Sequence, residues 1–187
     1  MRNTIVYLIG PYGVGKLTVA KALCALTGAR LVDNHLINNV VFSLIRADGQ
    51  TPLPQAVWDY ISDIRRAAFE VMETIAPAEF SYVLTNALED VPQDRAWYDR
   101  ACLLAERRRA LFVPVMVTCD EDENARRIPS PDRAANMKHT DAASALERRR
   151  TNPVLSVSHS NRFDLDTTIV GPEDAARQIV SHISMLR

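Results

Sequence analysis

The chain has little of several things, and each shortage removes a class of function. Three of its 187 residues are cysteine, Cys24, Cys102 and Cys119, an odd number with no C-x-x-C or metal-ligand spacing. They are expected to be reduced, small apolar side chains, neither disulfides nor zinc ligands. No apolar run approaches the ~18 residues that span a bilayer. The opening "TIVYLIG" is too short for a secretory signal and has no cleavage site behind it. The expectation is a cytoplasmic protein without membrane contact. An excess of one charge is also missing, with 22 basic residues against 23 acidic ones and a net charge of -1. Nothing in that balance favours nucleic acid as a partner.

Glycine is scarce as well, at six residues, yet three of them stand in "GPYGVG" as Gly10, Gly13 and Gly15. Around that cluster, short apolar runs alternate with helical patterns. A strand is expected over 4–9, then a helix over about 15–27 with Val19, Leu23 and Leu26 on its buried face and Gly28 as its stop. "ARLVD" reads as a second strand, which makes a right-handed β-α-β unit. Helical patterns follow in "HLINNVVFSLIR" and, after the broken loop "ADGQTPLP", in "QAVWDYISDIRRAAFEVMETIA". Further strands are expected at "FSYVLT", "ALFVPVMVT" and "FDLDTT". Helices are expected at "DRAWYDRACLLAERRR", around 120–150, and at "GPEDAARQIVSHISML". Five strands alternating with helices make a three-layer α/β domain with a parallel sheet, and the length favours one domain over two.

The glycine cluster sits between a strand and a helix. There, successive backbone N–H groups form a concave nest to which the helix dipole adds positive potential. The spacing G-x-x-x-x-G-K is complete, with Lys16 placed to reach β and γ phosphates. Leu17 stands where a magnesium-touching Ser or Thr is usual, and Thr18 comes one place later. "GPYGVGKLT" resembles the phosphate loop of adenylate kinases, where a non-hydroxyl residue also follows the lysine and threonine comes next. The chain resembles the wider group of small P-loop kinases, which includes shikimate kinase, gluconate kinase and chloramphenicol phosphotransferase. The resemblance implies the strand order 2-3-1-4-5, a small helical lid, ATP and Mg²⁺. It also implies that Gly10, Tyr12, Gly13, Val14, Gly15, Lys16, Leu17 and Thr18 hold the nucleotide, with Thr18 close to the metal.

Those kinases cover the nucleotide with an arginine-bearing lid between the fourth and fifth strands. "DEDENARRIPSPDRAANMKHTD" occupies that place and carries Arg126, Arg127, Arg133 and Lys138 around a Pro-Ser-Pro break. Arg127 resembles the arginine that stacks on adenine, and Arg133 is the preferred phosphate contact. Both are expected to stabilise the charge of the transferring group. A solvated basic turn balanced by "DEDE" is the competing reading. The triplets 107–109 and 148–150 read as solvated helix faces.

An acceptor site is expected at the carboxyl edge of the sheet. Asp33 ends the second strand. It could orient or deprotonate an acceptor hydroxyl, order magnesium water, or simply cap the next helix. His35, Thr85 and Asn86 are candidate acceptor contacts. Arg65 and Arg66 are placed like the arginines that grip anionic acceptors, although neighbours in a helix cannot share one face. "TNALED" closes the third strand without the usual carboxylate of a motor ATPase. The expected assignment is one P-loop domain over 1–187, with a phosphate loop at 10–18, acceptor-side helices at about 35–76 and a lid at about 120–150. It would transfer the γ-phosphate of ATP to a hydroxyl or phosphate of a small molecule. A nucleoside monophosphate kinase is one alternative, and an ATP-binding module that gates a partner with little transfer is another. A monomer or a homodimer fits either.

Overall fold

A computed structural model describes residues 1–48, 51–131, 133 and 137–187. Its strands are β1 (Thr4–Ile9), β2 (Arg30–Asp33), β3 (Tyr82–Asn86), β4 (Leu111–Thr118) and β5 (Phe163–Asp166). The helices are α1 (Lys16–Thr27), α2 (Asn34–Phe42), α3 (Gln55–Thr74), α4 (Pro92–Arg107), α5 (Glu121–Arg127), α6 (Ala142–Thr151) and α7 (Pro172–Met185). The strands form one parallel sheet in the order β2-β3-β1-β4-β5.

The continuous apolar run of β1 follows from this order, because the central strand has a layer on each face. Val6 and Leu8 pack with Val19 and Leu23 of α1 and with Ile179 and Ile183 of α7. Ile5, Tyr7 and Ile9 face the other way, onto Phe69 and Met72 of α3 and Ala101 and Leu104 of α4. A smaller cluster of Ile37, Phe42 and Ile61 joins α2 to α3. Pro114 pairs with Tyr7 of β1, while β5 begins pairing only at Val115. The proline therefore stands where β4 is still an edge and its missing N–H costs no ladder bond.

Two sequence expectations need correction. Leu26 is 54% exposed, since the cluster over Val19 and Leu23 does not reach the last turn of α1. Arg108 is not on a solvated face. Its guanidinium is buried and donates to the Met72 carbonyl, to Ala76 at 3.3 Å and to Pro77 at 2.8 Å. Those oxygens lie at and beyond the C-terminus of α3, where helix carbonyls lack intrahelical partners and the dipole favours a cation.

The register places Ile9, Asp33, Asn86 and Thr118 along one edge, so the loops leaving β1 to β4 converge there. Arg108→Ala would leave buried carbonyls without donors and is expected to cost about 2–4 kcal/mol of stability. Urea unfolding checks this, and an unchanged midpoint would contradict the assigned role.

Candidate active site

The six residues between β1 and α1 turn the chain sharply, with Gly13 at φ 81 and Gly15 at φ 87. Gly10 is required for a different reason, because a Cβ there would lie 2.1 Å from the Val117 carbonyl oxygen. The carbonyls of this loop are tied back. Asn124 Nδ2 donates to Tyr12 O at 2.7 Å, Thr167 Oγ1 donates to Val14 O at 2.8 Å, and Lys16 Nζ donates to Gly10 O and Pro11 O at 2.6 Å each. The backbone N–H groups of Gly13, Gly15, Lys16, Leu17 and Thr18 have no protein acceptor among the described residues. Carbonyls held outward and amides left open make a nest for an anion at the N-terminus of a twelve-residue helix.

Positive side chains surround the nest. Burial first, and then Arg133 and Lys138, push the Lys16 ammonium down to about 7, with Asp33 pulling the other way. Arg127 lies beside Gly15, donates through Nη1 and Nη2 to Thr167 at 3.0 and 2.8 Å, and pairs with Glu123 at 2.6 Å. Arg126 pairs with the same Glu123 from the solvent side. Arg133 donates to the His139 carbonyl at 3.1 and 2.7 Å. The lid segment carries α5 and α6, and its residues 132 and 134–136 lie outside the described residues.

A cavity of about 1020 Å³ joins this nest to a second half at the ends of β2 and β3. Asp33 is held there by two donors, Thr85 Oγ1 at 2.5 Å and the His35 N–H at 3.1 Å. It therefore caps α2 while still lining the cavity. His35 is held neutral, pushed down to about 4 by burial and then by Lys138, against the pull of Asp33. Asn86 donates to the Tyr7 hydroxyl at 3.4 Å, and burial pushes that phenol up to about 12. The two neighbouring arginines of α3 separate as the helical period requires. Arg65 turns inward, donates to Asn34 Oδ1 at 2.6 Å and lies 4.8 Å from the Trp97 ring centroid. Arg66 faces solvent, paired with Asp63 at 2.7 Å, and does not line the cavity.

Among the lining residues that the sequence reading did not single out, three carry charge, on α6 and beyond β3. Arg148, expected on a solvated face, lines the cavity with its guanidinium over the Tyr12 ring and paired with Glu89. Glu89 and Asp94, just beyond β3, line it too. Their one signal in the sequence is their place after the third strand. Arg149 also turns inward, donating to the Cys119 carbonyl at 3.0 Å.

Thr18 and Asp33 both reach the cavity with oxygen donors suited to a hard cation. Among the described residues no three His, Cys, Asp or Glu side chains come together as a cage. These two oxygens would suit an Mg²⁺ ion held largely through water and phosphate oxygens.

Along nearly its whole length the chain is similar to solved small-molecule kinases. A sugar kinase from Janibacter sp. HTCC2649 shares 16% identity at a TM-score of 0.65, with 97% of this chain and 95% of that one covered. A gluconokinase from Sinorhizobium meliloti 1021 shares 15% at 0.61, covering 98% and 93%. The APS kinase of Mycobacterium tuberculosis, solved in complex with AMPPNP and APS, shares 17% at 0.60, covering 98% of each chain. Likeness at these identities establishes the P-loop kinase fold. No protein-family model and no curated protein matches the chain.

The Lys16 shift has a pH consequence. An ammonium depressed from 10.5 to about 7 weighs against the folded state below pH 7. The native protein then binds fewer protons than the unfolded chain between about 7 and 10.5, so that penalty fades as pH rises through this window. Lys16→Met removes the penalty. Its stability advantage over the parent, followed by urea unfolding, should be largest below pH 7 and close toward pH 10.5. A gap independent of pH would contradict the depressed ammonium.

Proposed function

We propose that the protein is an ATP-dependent phosphotransferase that moves the γ-phosphoryl group to a hydroxyl or phosphate oxygen of a small molecule. One observation carries the reading: the open amides of Gly13 to Thr18 and the Asp33 carboxylate face a single cavity large enough for a nucleotide and a second small ligand. The kinase neighbours support it at the level of fold, and one of them was solved with a nucleotide analogue and an acceptor together.

In this reading the nest binds the β and γ phosphates, and Lys16 leaves the Gly10 and Pro11 carbonyls to meet them. Arg127, beside Gly15 at the end of the nest, packs against the adenine, while Arg133 closes on the phosphates with the lid. Thr18 and Asp33 lie where water on Mg²⁺ would be held, and the ion supplies charge neutralisation on the phosphate oxygens. The acceptor oxygen attacks the γ phosphorus, and its proton passes to Asp33. The bond from that phosphorus to the β–γ bridging oxygen breaks, and its electron pair leaves with ADP. His35, Thr85, Asn86 and Arg65 surround the acceptor, and Arg66 is left outside. The working division is one cytoplasmic P-loop domain, with its phosphate loop at 10–18, acceptor helices at about 35–76 and lid at about 120–150.

A nucleoside monophosphate would place its phosphate on the same acceptor half. A module that gates a partner would bind ATP through the same nest and release no phosphorylated product. ADP release across nucleoside monophosphates, sugars, sugar acids and hydroxylated antibiotics separates these readings, and ATP binding without any product would favour the gating module.

Two variants test the assignment. Lys16→Ala should lower transfer by about 10²-fold or more with the fold intact, and unchanged turnover in a folded variant would remove the phosphate-nest reading. Asp33→Asn keeps a cap of similar quality. If Asp33 serves the acceptor, ATP affinity should hold while transfer drops by roughly 10²; ATP affinity weakened in Mg²⁺ but unchanged in EDTA would assign it to the metal water, and equal turnover with unchanged affinity would reduce Asp33 to its capping role. Protease cleavage between Arg126 and Lys138 should slow on adding an ATP analogue, and cleavage indifferent to nucleotide would count against a closing lid.

A further inference from the structure

The acceptor half holds two opposite charges that the protein leaves without an ion pair among the described residues. Arg65 reaches into it from α3, and among the described residues no carboxylate stands at ion-pair distance from its guanidinium. Its partners are the Asn34 side chain and the Trp97 ring. Asp94, in the first turn of α4, lines the same cavity, with Oδ2 accepting the Glu89 N–H at 2.8 Å and no cation at ion-pair distance among the described residues. Glu89 cannot stand in for it, because Oε1 is taken by Arg148 and Oε2 by Asn152 at 2.9 Å. Burial pushes the Asp94 carboxyl up and the Arg65 guanidinium down, as for charges that lack a close counterion.

Each of the two senses the other electrostatically, yet they form no ion pair. The stack on Trp97 and the bond to Asn34 hold Arg65 on its wall. The Glu89 N–H holds Asp94, which stands three residues before Trp97 on α4. In the same cavity, Asn38 is 4% exposed and its Oδ1 has no donor among the described residues. A buried acceptor without a donor is costly unless a ligand supplies one.

We infer that the phosphate acceptor is a zwitterion of the amino-hydroxy-acid class, with an anionic group on Arg65, an ammonium on Asp94 and a hydroxyl directed at Asp33. A further N–H or O–H of the same molecule satisfies Asn38. An amine-free hydroxy acid would bring its negative charge to Arg65 and leave Asp94 without an ammonium to pair with, offset only at a distance by Arg65 and Arg148. The inference rests on the phosphotransferase reading and narrows its acceptor.

Matched probes that differ only in the amine test it: D-glucosaminate against D-gluconate, and L-homoserine against 4-hydroxybutyrate. ADP release with ATP and Mg²⁺ should favour the amine-bearing member of a pair by roughly 10-fold or more in kcat/KM. Asp94→Asn, which can still accept the Glu89 N–H, should erase that preference by raising KM for the amine-bearing probe, with KM for ATP unchanged. Arg65→Gln should raise KM for both members. Equal use of the pair, or a preference that survives Asp94→Asn, overturns the inference while leaving phosphotransfer standing. Calorimetry of the same probes without nucleotide separates the two failures. An amine preference in binding that Asp94→Asn removes sustains the inference even where no probe is phosphorylated, and the missing transfer then counts against the phosphotransferase reading alone. No amine preference in either assay overturns the inference.

Discussion

Everything at this site depends on how the chain passes from Ile9 to Lys16. A peptide group carries its donor and acceptor on opposite sides, so a loop can offer its N–H groups inward only if its carbonyls find partners outside. Here those partners come from distant parts of the chain: Asn124 of α5 for Tyr12, Thr167 beyond β5 for Val14, and Lys16 itself for Gly10 and Pro11. The fit is tight. A Cβ on Gly13 would come within 2.6 Å of Asn124 Nδ2 and 2.8 Å of Ile128 Cγ1. The loop is thus clamped between the sheet edge and α5, which forms one wall of the nest.

That arrangement gathers cations at the nest. Lys16, Arg127, Arg133 and Lys138 line one half of the cavity, and the ammonium of Lys16 is weakened by burial and by two of the others. A polyanion at the nest reverses this, since it restores the Lys16 charge and gives the arginines a shared partner. Asp33 opposes the cations from the acceptor side, fixed by Thr85 and by the first turn of α2. In the proposed reaction, binding phosphate and orienting the acceptor would be electrostatically linked, because Asp33 and Lys16 sense each other across the cavity.

The nest and the sheet were legible in the sequence because they rest on local signals: glycines at fixed spacing after an apolar run, and strands alternating with helices. The choice between Arg65 and Arg66 was not, because helical period says that one of two neighbours turns inward but not which. The triplets 107–109 and 148–150 read alike in sequence and separated in space. Arg108 meets the frayed carbonyls after α3, and Arg148 meets Glu89 and Tyr12, partners more than thirty residues away that no local pattern announces. Asp33 posed a choice between cap and functional carboxylate, and the structure shows the cap in a geometry that is compatible with the second role. Capping leaves the side chain at the cavity wall. Gly10 shows the reverse limit, since its place in the motif suggests contact with phosphate while its lack of a Cβ answers the Val117 carbonyl.

The central claim is that the amides of this loop hold phosphate in the cavity that Asp33 faces. Amide NMR of the ¹⁵N-labelled protein titrated with Mg·AMPPNP tests it most directly. The account predicts that the N–H resonances of Gly13, Gly15, Lys16, Leu17 and Thr18 shift together and saturate at one concentration, while those of the buried β4 core stay in place. Shifts scattered over the surface, or confined to regions outside the loop, would contradict it.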